Sequence, residues 1–239
     1  SVTGIVKDKK GRFWISMFDG GVDVYDSEEK VFVSLFDQKN GISTGLDRLA
    51  IPTIFIDSNN NVWVGTWESG LFLLKNNSNK FVNINMSSEN SVFKSNRIMS
   101  FDEDSNGTIW IGSFLGGLYS YDPNKGIFKH HDSSEFKKYN IDTSNIRKVL
   151  VDHEDNVWLG SRAGLFKVES FSNNTFKVRS LNKEMNTDFE TNFNNSIIPS
   201  IVFSLFEDSK NNLWIGTLGD GLTKYSIEEK LFKRYDKNT

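Results

Sequence analysis

The run DEDSNG, Asp102 to Gly107, sets side-chain oxygens at alternate positions with glycine sixth, as the opening of a calcium loop does. The twelfth position is Ser113, where such a loop needs a bidentate glutamate, so no metal is expected. His130, His131 and His153 are too dispersed to ligate zinc and are expected at the surface. The chain has no cysteine, which excludes disulfides, thiolate metal sites and thiol nucleophiles. Glycoside hydrolysis would need a pair of carboxylates flanking one bond. The strand-like segments TGIVK, PTIFI, MSFDE, RKVLV and FSLFE supply only Asp102, Glu103 and Glu207, the last two at segment ends. No catalytic residue and no cofactor is assigned. What remains is the chemistry of recognition, in which an aromatic ring stacks on a sugar and arginines grip an acidic group.

Those residues must be positioned, and the positioning is periodic. RFWISMFDGGV, NVWVGTWESGL, TIWIGSFLGGL, NVWLGSRAGL and NNLWIGTLGDGL place Trp14, Trp63, Trp110, Trp158 and Trp214 in register, at spacings of 49, 47, 48 and 56 residues. Six residues before each tryptophan stands an aspartate: Asp8, Asp57, Asp104, Asp152 and Asp208. Six or seven after it stands a glycine: Gly21, Gly70, Gly117, Gly164 and Gly221. A later phenylalanine completes the copy: Phe32, Phe81, Phe128, Phe176 and Phe232.

Each copy reads as four short strands separated by turns, shown by IVFSLFED, LWIGT, LTKYS and LFKRY in the fifth. Four antiparallel strands recurring every 40 to 50 residues are the signature of β-propeller blades. The expected fold is all-β, a β-propeller of five four-stranded antiparallel blades at about 1–44, 45–91, 92–142, 143–196 and 197–239. Five blades make either a small ring or an open arc, whose apolar end faces invite self-association. In this reading the first strand is buried on both faces, and the tryptophan fills the space between blades. The aspartate opens an Asx-type turn, the glycine takes a left-handed conformation, and the phenylalanine closes the blade core.

Composition narrows the partners. Lys+Arg 28 against Asp+Glu 31 gives a net charge of −3 with no run of like charge, which argues against nucleic acid. No apolar run approaches a membrane span, and SVTGIVKDKKG lacks a signal-peptide profile, so any membrane link is expected through segments absent from this sequence.

In a propeller the second turns and the connectors between blades open on one face, where variable loops carry specificity. The longest connector is Ser180 to Ser200. The second turns carry Phe18 and Asp19, Trp67 and Glu68, Phe114, Arg162 and Asp220. Trp67 is the one tryptophan outside the repeated position, and it either stacks on a sugar or, the commoner use, packs against the next blade. Arg48, Arg97, Arg147 and Arg162 either converge on an acidic sugar or sulfate, or are solvated and locally paired.

DSNGTIWIGSFLGGLYSYD, Asp104 to Asp122, and DSKNNLWIGTLGDGLTKY, Asp208 to Tyr225, closely resemble the two-component regulator propeller repeat, and the resemblance extends over the whole chain. The first copy departs at Ser16 and Met17, and the fourth is one residue short. The resemblance implies an arc of a seven-bladed propeller, the periplasmic sensor region of a membrane-bound hybrid two-component histidine kinase. It further implies an oligosaccharide ligand and, as partners, the remaining blades and signalling domains of the parent protein. The alternative is a noncatalytic scaffold for protein binding or dimerisation.

Overall fold

The structure is a computed structural model that describes residues 1–33, 45–46, 48–131, 145–172, 175–182 and 201–235. It is all-β, with five four-stranded antiparallel sheets, each a meander in chain order. Sheet 1 comprises β1 (Val2–Lys7), β2 (Phe13–Met17), β3 (Gly21–Asp26) and β4 (Val31–Val33). Sheet 2 comprises β5 (Thr53–Ile56), β6 (Val62–Gly65), β7 (Leu71–Leu74) and β8 (Val82–Ile84). Sheet 3 comprises β9 (Ile98–Glu103), β10 (Ile109–Ser113), β11 (Gly117–Asp122) and β12 (Ile127–His131). Sheet 4 comprises β13 (Ile146–Val151), β14 (Val157–Ser161), β15 (Gly164–Ser172) and β16 (Thr175–Ser180). Sheet 5 comprises β17 (Val202–Glu207), β18 (Asn212–Thr217), β19 (Leu222–Ser226) and β20 (Leu231–Tyr235).

The chain forms two compact units, Ser1–His130 and His131–Thr239. Within the first unit β1 neighbours β5 and β5 neighbours β9; within the second β13 neighbours β17. Within each unit consecutive sheets thus stack as blades, first strand beside first strand, as in a β-propeller.

Burial peaks on the second and third strands, not the first. Every residue of β6, β7, β10 and β14 is buried, whereas β1 exposes Val2 (59%) and Ile5 (60%), and β17 exposes Phe203 (46%) and Phe206 (64%). The expectation of first strands buried on both faces is corrected for β1 and β17, whereas every residue of the first strands β9 and β13 is buried or half-buried.

The core lies in the seams between sheets. One cluster joins Trp14, Val22 and Val24 of sheet 1 to Ile54, Val62, Val64, Phe72 and Leu74 of sheet 2. A second joins Trp63 and Leu73 to Phe101, Ile111, Tyr119 and Tyr121 of sheet 3. A third, in the second unit, joins Trp158 and Leu165 of sheet 4 to Leu205, Ile215, Tyr225 and Phe232 of sheet 5. The outer-strand phenylalanines pack within their own blades, Phe128 on Tyr121 at 4.6 Å and Phe232 on Tyr225 at 4.3 Å, and some also reach into the seams. Phe81 of sheet 2 meets Trp14 of sheet 1 edge-on at 6.4 Å, and Phe128 of sheet 3 meets Trp63 in the same way. Phe32 of sheet 1 stays 66% exposed. The side chain of Phe176 lies outside the described residues.

Candidate functional site

Each repeated aspartate does more than open a turn. In every sheet one carboxylate oxygen accepts the indole N–H of the tryptophan six residues on: Trp14 to Asp8 (3.0 Å), Trp63 to Asp57 (2.8 Å), Trp110 to Asp104 (3.0 Å), Trp158 to Asp152 (2.7 Å) and Trp214 to Asp208 (2.8 Å). The other oxygen accepts backbone N–H groups two and four residues on, as from Asn59 and Asn61 to Asp57. Burial pushes the Asp8 carboxyl up, but the donors Trp14 and Arg12 outweigh it and hold it below the usual carboxylate range. Asn212 and Trp214 hold Asp208 well below that range. The sequence reading missed the indole bond, although the constant spacing of six was its signal.

The repeated glycine of the second turn, at Gly21, Gly70, Gly117, Gly164 and Gly221, takes positive φ in all five copies. Gly21 shows why: its φ is +77°, and a Cβ there would meet the Leu46 carbonyl oxygen at 2.7 Å. This close approach lets a connector lie against the second turn.

The apparent catalytic carboxylates prove to be latches. Both oxygens of Glu103 are taken by Ser58 of the preceding sheet, through its backbone N–H (2.6 Å) and its hydroxyl (2.7 Å). Glu207 repeats the device toward His153, accepting its backbone N–H at 3.0 Å and contacting ring Nδ1 at 2.5 Å. Glu207 raises the pKa of the exposed His153, assisted by Asp152 and Glu154. The calcium-like run is likewise a turn, with Asp104 accepting from Asn106, Thr108 and Trp110. Among the described residues no group of His, Asp and Glu is placed to hold a metal. His131 corrects an expectation: it is 4% exposed, buried at the end of β12, while His130 is half-buried with Nε2 against the Gly116 carbonyl. The register of the outer strand turns His131 inward, which composition does not reveal.

Four of the recognition candidates come together. Trp67, in the turn after β6, faces Phe114, in the turn after β10, with ring centroids 5.5 Å apart. The Arg97 guanidinium lies over both rings, at 5.4 Å and 5.6 Å. Backbone bonds set this cluster: Ile98 N–H donates to Thr66 O, Phe114 N–H to Arg97 O, and Ser113 Oγ to Arg97 O, each 2.9 Å. Beside them opens a pocket of about 370 Å³ lined by Trp67, Glu68, Met86, Lys94, Ser95, Asn96, Arg97 and Leu115. Beneath Lys94, whose N–H donates to its phenol oxygen, burial pushes the Tyr119 pKa up to about 12.

The other candidates do not line that pocket. Phe18 (40% exposed), Asp19 and Arg48 are exposed in the first unit. In the second unit Arg147 lies over the Phe203 ring at 4.6 Å, and burial, then the charge of Arg162, lowers its pKa. Asp220 pairs with Arg234 at 3.1 Å. Most of the long connector, residues 183–200, lies outside the described residues.

Comparison with solved structures gives the same architecture. The extracellular domain of a hybrid two-component system of B. thetaiotaomicron matches with TM-score 0.74 and 23% identity, over 99% of this chain and 29% of that one. A second such domain from B. thetaiotaomicron matches with TM-score 0.71 and 19% identity, over 98% of this chain and 31% of that one. Virginiamycin B lyase of Staphylococcus aureus matches with TM-score 0.67 and 10% identity, over 100% of this chain and 70% of that one. This chain therefore spans less than a third of the two-component domains it matches. No curated protein sequence matches it. The two-component regulator propeller family model matches residues 45–68, 93–114 and 196–219, within the second, third and fifth copies of the motif. Three of the five phased copies thus match the two-component regulator propeller model, and the first and fourth share their aspartate, tryptophan and glycine in the same order, the fourth one residue shorter.

Proposed function

We propose that these blades are part of the extracytoplasmic, periplasmic sensor region of a two-component signalling protein, and that they take an oligosaccharide at the Trp67 pocket. The observation that carries the reading is the cluster of Trp67, Arg97 and Phe114 beside a 370 Å³ pocket, built from residues the repeat leaves free. The family match and the fold shared with hybrid two-component extracellular domains support the sensor role. In this reading Trp67, backed by Phe114, offers an apolar wall to a sugar ring, and Arg97, Lys94 and Glu68 supply hydrogen bonds to its hydroxyl or carboxylate groups. The role is noncatalytic: Glu103 and Glu207 are engaged as latches between sheets, and the repeated aspartates hold indoles.

Calorimetric titration of a panel of neutral and acidic oligosaccharides tests this. Trp67→Ala should weaken the bound saccharide about tenfold or more while lowering stability by only about 1 kcal/mol, the order of an aromatic pair. Unchanged affinity with a large fall in Tm would assign Trp67 to packing alone. A second reading, a scaffold for dimerisation, is favoured by the exposed apolar side chains Ile5 and Phe32 of sheet 1 and Phe206 and Leu231 of sheet 5. Sedimentation as a stable dimer with no saccharide bound would select it.

A further inference from the structure

The seam between sheets 4 and 5 is built differently from the seam between sheets 1 and 2, and the difference is chemical. Cross-strand register puts Trp14, Val24 and Val33 in one column of sheet 1, on the face that meets sheet 2. The matching column of sheet 4 is Trp158, Lys167 and Arg179. Two valines that would seal the seam are replaced by two cations, which keep their heads in water.

The consequence is a groove of about 740 Å³ within the second unit, against about 190 Å³ for the corresponding gap in the first. Its floor is aromatic: Trp158 and Tyr225 meet at 5.8 Å. Its walls carry Lys167, Arg179, Lys210, Lys224 and Lys230, with the Lys167 ammonium 5.3 Å above the Trp158 ring. Glu154, Glu228 and Glu229 also line it, and among the described residues they form no ion pair with these lysines. Five cations against three carboxylates leave the groove an excess of two positive charges in a chain whose net charge is −3. Such a field concentrates anions locally, and four of the five are lysines, point charges suited to compact oxyanions. A cationic rim around a groove of this size fits a small ring that carries charged substituents.

We infer that this groove binds a small polyanion, a sugar- or cyclitol-sized ring bearing two or more sulfate or phosphate esters. The ring sits in the mouth of the groove above the buried Trp158 and Tyr225, and its esters meet Lys167, Lys210 and Lys230. The site shares no residue with the Trp67 pocket, so neither proposal depends on the other.

The test uses the full chain in low-salt buffer, titrated with sucrose octasulfate and with inositol hexakisphosphate, and with sucrose and myo-inositol as uncharged controls. One variant combines Lys167→Gln, Lys210→Gln and Lys230→Gln. A second combines Lys10→Gln, Lys75→Gln and Lys80→Gln, the same loss of charge on the first unit. The expected result is saturable, salt-sensitive binding of a polyanion, weakened about tenfold or more by the groove variant and less than about twofold by the other. The tighter of the two polyanions identifies a sulfated or a phosphorylated ligand. Failure of both to bind, equal weakening by the two variants, or equal binding of the uncharged controls would overturn the inference.

Discussion

The seam between sheets 1 and 2 and the seam between sheets 4 and 5 use one tryptophan and one aspartate in the same geometry, yet one is closed and the other open. Trp14 and Trp158 are each 1% exposed and each donates to its aspartate. Beside Trp14 lie Val24 (1% exposed) and Val33; beside Trp158 lie Lys167 and Arg179. The aspartate fixes each indole within its own sheet, the indole packs with other apolar residues against the next sheet, and the column beside it is either sealed with methyl groups or left wet and charged. Structural load and chemical individuality occupy different strands of the same blade.

The clasped tryptophan should carry the largest effect. Trp63→Ala removes a ring at 0% exposure that touches Phe101, Tyr121 and Phe128, and should cost about 3 to 5 kcal/mol in denaturant unfolding. Trp214 is half-buried and stacks on Tyr235 of its own sheet, so Trp214→Ala should cost less than half as much. Equal losses would show that seam packing is not what the tryptophan supplies.

Exchanging the columns comes next. Val24→Lys places a cation in the closed seam and should destabilise by about 2 kcal/mol. Lys167→Val should change stability by no more than about 0.5 kcal/mol, because no methyl packing is lost. Comparable penalties in both directions would mean that the open seam depends on its charges for stability.

The smallest effect concerns the latch between sheets 4 and 5. Glu207 raises the pKa of His153, so the imidazolium form contributes stability that is fully present below about pH 6.5, the unfolded value, and is lost as pH rises through the raised folded value. Asp152 and Glu154 act in the same direction. Tm should therefore favour the wild type over Glu207→Gln more at pH 5.5 than at pH 8.5. The equivalent latch of the first unit, Ser58 to Glu103, has no titrating partner in Ser58, and Ser58→Ala should show no matching pH step in this range. A pH-independent Glu207→Gln difference would reduce the His153 contact to its backbone hydrogen bond.

Much of this was legible in the residues. Four-strand periodicity marks blades because alternation and turn residues act locally, and a tryptophan recurring in phase has one structural job. The positive φ of Gly21, Gly70, Gly117, Gly164 and Gly221 was legible for the same reason. The meeting of Trp67 with Arg97 and Phe114 was only half legible. Each stood among the candidates, but nothing local says that a turn after β6, a connector and a turn after β10 converge. His131 was misjudged because inward or outward direction on an outer strand depends on register.

The sequence alone determined the repeat, the blade and the aspartate, tryptophan and glycine that build it, since those follow from spacing within one copy. Only the tertiary structure decided what the copies do to one another. It made Glu103 and Glu207 latches between sheets, carried Phe81 and Phe128 from their own blades to the tryptophan of the preceding sheet, and set Lys167 and Arg179 beside Trp158 where valines stand beside Trp14. The physical reason is that a four-stranded sheet has two faces, and the use of each face is settled by the neighbouring sheet that covers it.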